Sequence, residues 1–203
     1  MLARVLSGAL VGIDAYRVEV EVDIAQGLPQ FATVGLPEGA VKESKDRVKS
    51  AIKNSSYDFP NRRITINLAP ADIRKDGAAF DLPMAIGLLT ATGVIPVERA
   101  ERYLYMGELS LDGRIKPVRG VLPVAVAARN WEVDGLILPT ENARAGSLVD
   151  HLPVYPVATL GELVDFLTDN TSLQPHQIDV DALFSETVAD DLDFAEVRGQ
   201  AHV

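Results

Sequence analysis

Residues 63–92 read RITINLAPADIRKDGAAFDLPMAIGLLTAT, and this stretch decides the fold. Its first part, 63–68, alternates apolar and polar side chains, which is typical of a half-buried strand. A polar turn is predicted at 75–77. The helix predicted over 82–92 is apolar nearly all round, so we expect it to be buried in the core. Asp81 stands directly before this helix and is predicted to cap it.

The segments before this stretch add β-structure and one amphipathic helix. Residues 17–24 alternate apolar and charged side chains, and shorter apolar runs at 9–12 and 30–34 are bounded by glycine, proline or aspartate. We predict that these three segments form an antiparallel three-stranded unit. Residues 40–53 are predicted to form an amphipathic surface helix, because residues suited to the core recur at helical spacing: Val41, Ser44, Val48 and Ile52.

The rest of the body alternates strands and helices. Residues 103–110 and 114–118 flank Asp112-Gly113, a dipeptide suited to a tight hairpin turn. Further elements are predicted as a helix over 121–130, a strand at 136–138, a helix near 142–149, a strand at 154–157 and a helix at 161–167. Together these elements predict an α+β fold, in which helices pack on a mixed sheet.

Composition and charge divide the chain into parts. The 203 residues include no cysteine, signal peptide or long apolar run, so we expect a cytoplasmic protein that has no membrane partner. Most of the net charge of −10 comes from residues 159–203, which carry ten acids and one base. We predict a main domain over 1–169, an acidic linker over 170–193, and at 194–203 the start of a truncated further module.

Several kinds of catalytic or cofactor site are disfavoured by the motifs. The histidines at 151, 176 and 202 are isolated from one another, so no metal site is predicted. Ser147 precedes His151 by one helical turn, but no acid is placed to orient such a pair. The G-x-x-x-x-G-K-[ST] loop that binds triphosphates is missing, and we expect no cofactor in this chain.

Three segments resemble, in order, the protease domain of the Lon family: residues 74–81 (RKDGAAFD), the hairpin 106–118 and residues 119–123 (RGVLP). The resemblance implies the Lon-protease-like fold, which is similar to the second domain of a ribosomal small-subunit protein. In Lon proteases the first segment carries a nucleophilic serine and the third carries the lysine that acts as its base. The matching positions here are Ala79 and Leu122, which implies that the fold is kept and the peptidase reaction is lost.

A narrower resemblance covers nearly the whole chain. GLP at 35–37, AVKESKDRV at 40–48, NLAPAD at 67–72 and FDLP at 80–83 resemble the N-terminal Lon-like domain of the YifB/ComM family, which are magnesium-chelatase-like AAA+ ATPases. In that family an ATPase module follows, and residues 193–200 resemble the entry to it. The resemblance implies ATP and Mg²⁺ for that module, a homo-oligomeric, hexameric ring, and DNA branch migration in natural transformation.

A basic stripe is the candidate nucleic-acid site. The helix predicted over 40–53 carries four lysines on one face, and three further bases lie nearby in sequence, which gives the set Lys42, Lys45, Lys49, Lys53, Arg62, Arg63 and Lys75. Residues 40–76 hold nine bases against five acids. Such a stripe is either a solvated helix face or a surface that follows phosphates. No aromatic residue is interleaved on it, so we expect weak binding without sequence preference.

We therefore expect a catalytically inactive accessory domain of a magnesium-chelatase-like AAA+ ATPase, serving subunit assembly, DNA handling or both. Two alternatives remain open. One is a Lon-type peptidase with a displaced dyad, which the residues at 79 and 122 disfavour. The other is a metal-chelatase-type ATPase subunit, although the acids of 72–81 are interleaved with bases and do not form a hard-cation cluster.

Overall fold

The structure, a computed structural model, describes residues 1–178. Its strands are β1 (Leu2–Val11), β2 (Asp14–Ala25), β3 (Gln30–Val34), β4 (Arg63–Ala69), β5 (Tyr103–Tyr105), β6 (Glu108–Leu109), β7 (Ile115–Lys116), β8 (Gly135–Pro139) and β9 (Val154–Val157). Its helices are α1 (Gly39–Asn54), α2 (Asp81–Ala91), α3 (Val97–Ala100), α4 (Val121–Ala128), α5 (Ala143–Gly146) and α6 (Leu160–Leu167). Short 3-10 turns precede α2 at Ala78–Phe80 and α5 at Thr140–Asn142.

Seven strands form one mixed sheet in the order β3-β4-β2-β1-β5-β8-β9, and β6 pairs with β7 in a separate ribbon. Within the large sheet β2 pairs antiparallel with both β1 and β4. The remaining neighbours in it are parallel. The predicted fold, a mixed sheet with helices packed on it, is confirmed.

The predicted three-stranded antiparallel start is wrong in its third strand. β1 and β2 do form a hairpin, but β3 lies at the edge of the sheet and pairs with β4 in parallel, from Gln30 opposite Arg63 to Val34 opposite Asn67. A parallel pair needs a long crossover, and α1 supplies it. β4 therefore lies between β2 and β3 in the sheet.

The central helix α2 forms the middle of the core, as its all-round apolar sequence predicts. Each of its residues from Asp81 to Ala91 is buried. It lies so close to the sheet that a Cβ at Gly87 would contact the Val22 side chain at 2.6 Å. α1 is amphipathic as predicted, with Val41, Ser44, Val48, Ala51 and Ile52 buried.

The predicted strand 103–110 is divided between two sheets. β5 joins the large sheet between β1 and β8, and the chain then leaves it to form β6. The turn to β7 holds Gly113 at a φ of 85°, and the amide N of Ser110 donates to the carbonyl of Arg114 at 2.9 Å. Asn54, the last residue of α1, donates from its side-chain amide to the carbonyl of Leu111 at 2.7 Å, which fixes the ribbon to that helix.

The chain after α6 folds back on the body. Leu173 packs against the core, and the amide of His176 donates to the carbonyl of Val154 at 2.7 Å. The predicted linker over 170–193 falls only in part on the described chain, and the predicted module entry at 194–203 lies outside it. Among residues 1–178, no helix combines the length and the apolar character needed to cross a membrane.

Candidate functional site

A cleft of about 740 Å³ lies where the 3-10 turn before α2 meets the end of β1. Ala79, on that turn, lines the cleft together with Met106 and Arg119. Leu122 lies on the first turn of α4 with 41% of its surface exposed. The charges at the cleft have both signs, and Arg74 forms an ion pair with Glu38 at 3.1 Å.

Asp81 is not the helix cap that its position predicts. Its carboxylate is completely buried and accepts hydrogen bonds from the hydroxyl of Ser44, from Arg47 Nε at 2.6 Å and from the amide of Leu109 at 3.2 Å. Burial raises the pKa of Asp81, and the hydrogen bonds from Arg47 and Ser44 oppose that rise. The residue therefore joins α1, α2 and the β6-β7 ribbon.

Lys75 does not belong to the basic stripe, which corrects its prediction as a nucleic-acid contact. Its side chain is completely buried and donates from Nζ to the carbonyl of Pro70. Its backbone pairs with the segment after β3, donating to Leu36 O at 3.2 Å and accepting from the amide of Glu38 at 2.9 Å. Burial lowers the pKa of Lys75, and Asp72 opposes that change. The side chain stabilises the turn and cannot reach a phosphate.

Four of the predicted basic residues meet at one groove, which we call the basic groove. Lys45, Lys49 and Lys53 line the groove from α1, and Arg62 lines it from the segment just before β4. The groove has a volume of about 320 Å³. Lys42 lies outside it, in a shallow pocket beside residues 36–39, and Arg63 is exposed at the first position of β4.

Two phenylalanines line the basic groove, which corrects the expectation that no aromatic residue accompanies the lysines. Phe31 of β3 and Phe59 of the loop before β4 stack with 6.5 Å between ring centroids and 23° between ring planes. Lys49 Nζ lies 5.9 Å from the centroid of Phe59. The sequence separates these rings from the helix, and the parallel pairing of β3 with β4 brings them together. The closeness of Phe59 to Arg62 in the sequence was the available signal for one ring, and nothing local indicated Phe31.

The cations of the basic groove differ from Arg47 in their ion pairing. Within residues 1–178, no ion pair involves Lys45, Lys49, Lys53 or Arg62. Arg47, on the same helix, is instead bound to Asp81 and lies 3.8 Å from Glu43. The same part of the chain holds no group of three or more histidines and acids that could bind a metal ion.

Residues 20–142 match the family model described as subunit ChlI of Mg-chelatase. Competence protein ComM of Haemophilus influenzae is 39% identical over 202 residues, which are 99% of this chain and 40% of that protein. The uncharacterized protein YifB of Escherichia coli is 46% identical over 162 residues, 74% of this chain and 31% of that protein. Lon protease 2 of Bacillus subtilis is 29% identical over 179 residues, 80% of this chain and 32% of that protein. The chain thus spans two fifths or less of the length of these relatives.

Proposed function

This chain belongs to the Mg-chelatase-like family that includes ComM and YifB, and we propose that it serves there as a catalytically inactive, Lon-like accessory domain of an AAA+ ATPase. The observation that carries this proposal is the cleft at Ala79. Its lining residues in the described chain include no hydroxyl, thiol, imidazole or amine that could act as a nucleophile or as a lysine base. Leu122, the other position matched to the Lon dyad, is aliphatic.

The test is turnover of a fluorogenic peptide by the pure 203-residue chain. We expect no turnover above buffer. Ala79→Ser alone should stay inactive, because the new hydroxyl lacks a base, and Ala78→Ser is its matched control. Turnover by the wild-type chain contradicts the proposal and favours the alternative, a peptidase with a displaced dyad.

The second part of the proposal is DNA handling through the basic groove. The lysines along α1 form no ion pair within residues 1–178, and such a row of cations can follow the phosphates of a strand without reading its sequence. The name of the relative ComM points to competence, and we propose a corresponding role here in DNA branch migration during natural transformation. The working assembly would be a cytoplasmic homo-oligomeric, hexameric ring whose own ATPase module binds ATP and Mg²⁺.

A metal-chelatase-type subunit is the remaining alternative, and the description of the matching family model favours it. The two functions differ in their substrates. ATP-dependent insertion of Mg²⁺ into a porphyrin by the full-length protein supports the chelatase function, whereas ATP-dependent displacement of one DNA strand supports DNA handling. Deleting residues 1–178 from the full-length protein then measures what this domain contributes to either activity.

A further inference from the structure

The basic groove presents both cations and aromatic rings, and the proposed phosphate contact uses only the cations. The lining of the groove includes the lysines of α1 and the stacked rings of Phe31 and Phe59. Phosphate binding alone uses the cations and leaves the exposed parts of the rings without a ligand. Both rings are partly buried and also pack against the core, so their positions are fixed before any ligand arrives.

The lysines form a regular series beside these rings. Lys45, Lys49 and Lys53 follow one another at intervals of four residues, and each interval raises the position along α1 by about 6 Å. Lys49 Nζ lies 5.9 Å from the centroid of Phe59, so an anion held by Lys49 would lie close to that ring. A polymer whose repeating unit carries both an anionic group and a flat ring suits this arrangement.

We propose that the basic groove binds an unpaired nucleotide of a single-stranded nucleic acid, with its base against Phe31 and Phe59 and its neighbouring phosphates on the lysines. This inference rests on the proposed DNA-handling role and specifies its substrate. The volume of about 320 Å³ is at the lower end of the range of small-molecule pockets, which suits one nucleotide. Bases inside a duplex are stacked on one another, so their faces are not free to stack on the rings that line the groove.

An acidic peptide is the other polymer that the lysines would attract. Its carboxylates would pair with the cations, but acidic side chains carry no ring to place on Phe31 and Phe59. A nucleic acid supplies both groups in every unit, and stacking of bases on aromatic side chains tolerates every sequence. The groove therefore favours the nucleic acid, and the peptide becomes an outcome of the test.

The test compares the affinity of the 203-residue chain for labelled oligothymidylate and for an abasic strand of equal length, measured by fluorescence anisotropy. The two strands carry the same phosphates and differ in their bases. We expect the wild-type chain to bind oligothymidylate about tenfold more tightly. In the double variant Phe31→Leu, Phe59→Leu this ratio should fall to about one, with affinity for the abasic strand unchanged. Tyr16→Leu, an exposed aromatic residue on β2, is the control that should keep the ratio.

The possible results separate this inference from the proposed function. If the wild-type chain binds the two strands with about equal affinity while the double variant Lys45→Glu with Lys49→Glu still weakens binding, the stacking inference fails and phosphate contact remains. If neither strand binds, the stacking inference and the proposed DNA-handling role both fail. The single-strand assignment is overturned if a duplex binds as tightly as oligothymidylate. It is also overturned if polyglutamate competes for the groove as strongly as oligothymidylate does. Photocross-linking of 5-iodouracil strands to the wild-type chain is independent of variant folding, and we expect the cross-links at Phe31 or Phe59.

Discussion

The buried carboxylate of Asp81 holds α1 against α2 through Ser44 and Arg47. We predict that Asp81→Asn lowers the free energy of unfolding by about 3 kcal/mol, because the change leaves the Arg47 guanidinium without its buried charged partner. The measurement is urea unfolding, where the midpoint should fall with little change in slope.

The matched control for this change is Asp46→Asn on the exposed side of α1, which should alter the free energy of unfolding by less than about 0.5 kcal/mol. Equal losses in the two variants would mean that the Asp81 cluster does not stabilise the fold.

Lys75 gives a prediction about pH. Its pKa in the folded chain is lowered by burial from the ordinary value of 10.5, so between the lowered pKa and 10.5 the unfolded chain binds more protons. Folding stability from this residue therefore rises with pH through that window. We expect the stability of the wild-type chain relative to Lys75→Met to increase as the pH is raised from neutral toward 10.5. A stability difference that stays constant over this range would show that the Lys75 ammonium is not desolvated.

At the scale of elements, the contact between β3 and β4 depends on Gly35. Its φ is 94°, and a Cβ there would collide with the carbonyl oxygen of Leu68. We predict that Gly35→Ala lowers the free energy of unfolding by at least about 2 kcal/mol, from both the positive φ and the collision. Gly39→Ala, at the start of α1 with open space around it, should be neutral or slightly stabilising. Urea unfolding of both variants compares them, and similar losses would contradict the assigned role of Gly35.

The elements themselves were largely predictable because their periodicity is local. The alternation at 63–68 and the apolar helix at 82–92 need no knowledge of the rest of the fold. The partner of β3 could not be predicted, since a β-α-β crossover and a meander place the same alternating strand in different sheet positions. The burial of Lys75 was missed for a similar reason: its backbone pairs with residues 36–38, nearly forty residues earlier, and no local pattern indicates that pairing.

The basic residues of the candidate site could be predicted from the sequence, whereas its aromatic residues could not. Helical spacing placed Lys45, Lys49 and Lys53 on one face, and the structure brings Arg62 to the same groove. Phe31 and Phe59 join them through the parallel pairing of β3 with β4, which no local pattern encodes.

At the scale of the whole molecule, we expect the acidic residues after position 178 to weaken DNA binding. Ending the chain at Ile178 removes seven acids and one base while keeping the contacts of Leu173 and His176 with the body. We predict that the shortened chain binds DNA more tightly than the 203-residue chain at low salt. The gain in affinity should be smaller at high salt, because salt screens the repulsion between the acidic segment and DNA. Replacing the seven acids with their amides in the full chain should give the same gain. Unchanged affinity in both variants would mean that this segment has no electrostatic effect on the groove.

The central claim is that the basic groove contacts DNA phosphates, and the salt dependence of DNA affinity tests it most directly. The comparison uses three proteins. They are the wild-type chain, the groove double variant Lys45→Glu with Lys49→Glu, and a control double variant with the same charge change at exposed sites elsewhere, Lys116→Glu with Arg129→Glu. We predict that the groove variant lowers the steepness of log K against log salt by about 1.4 for a single strand, since two phosphate contacts are lost, while the control changes it far less. The same slope in the groove variant and the wild type would contradict the claim and make the lysines a solvated helix face.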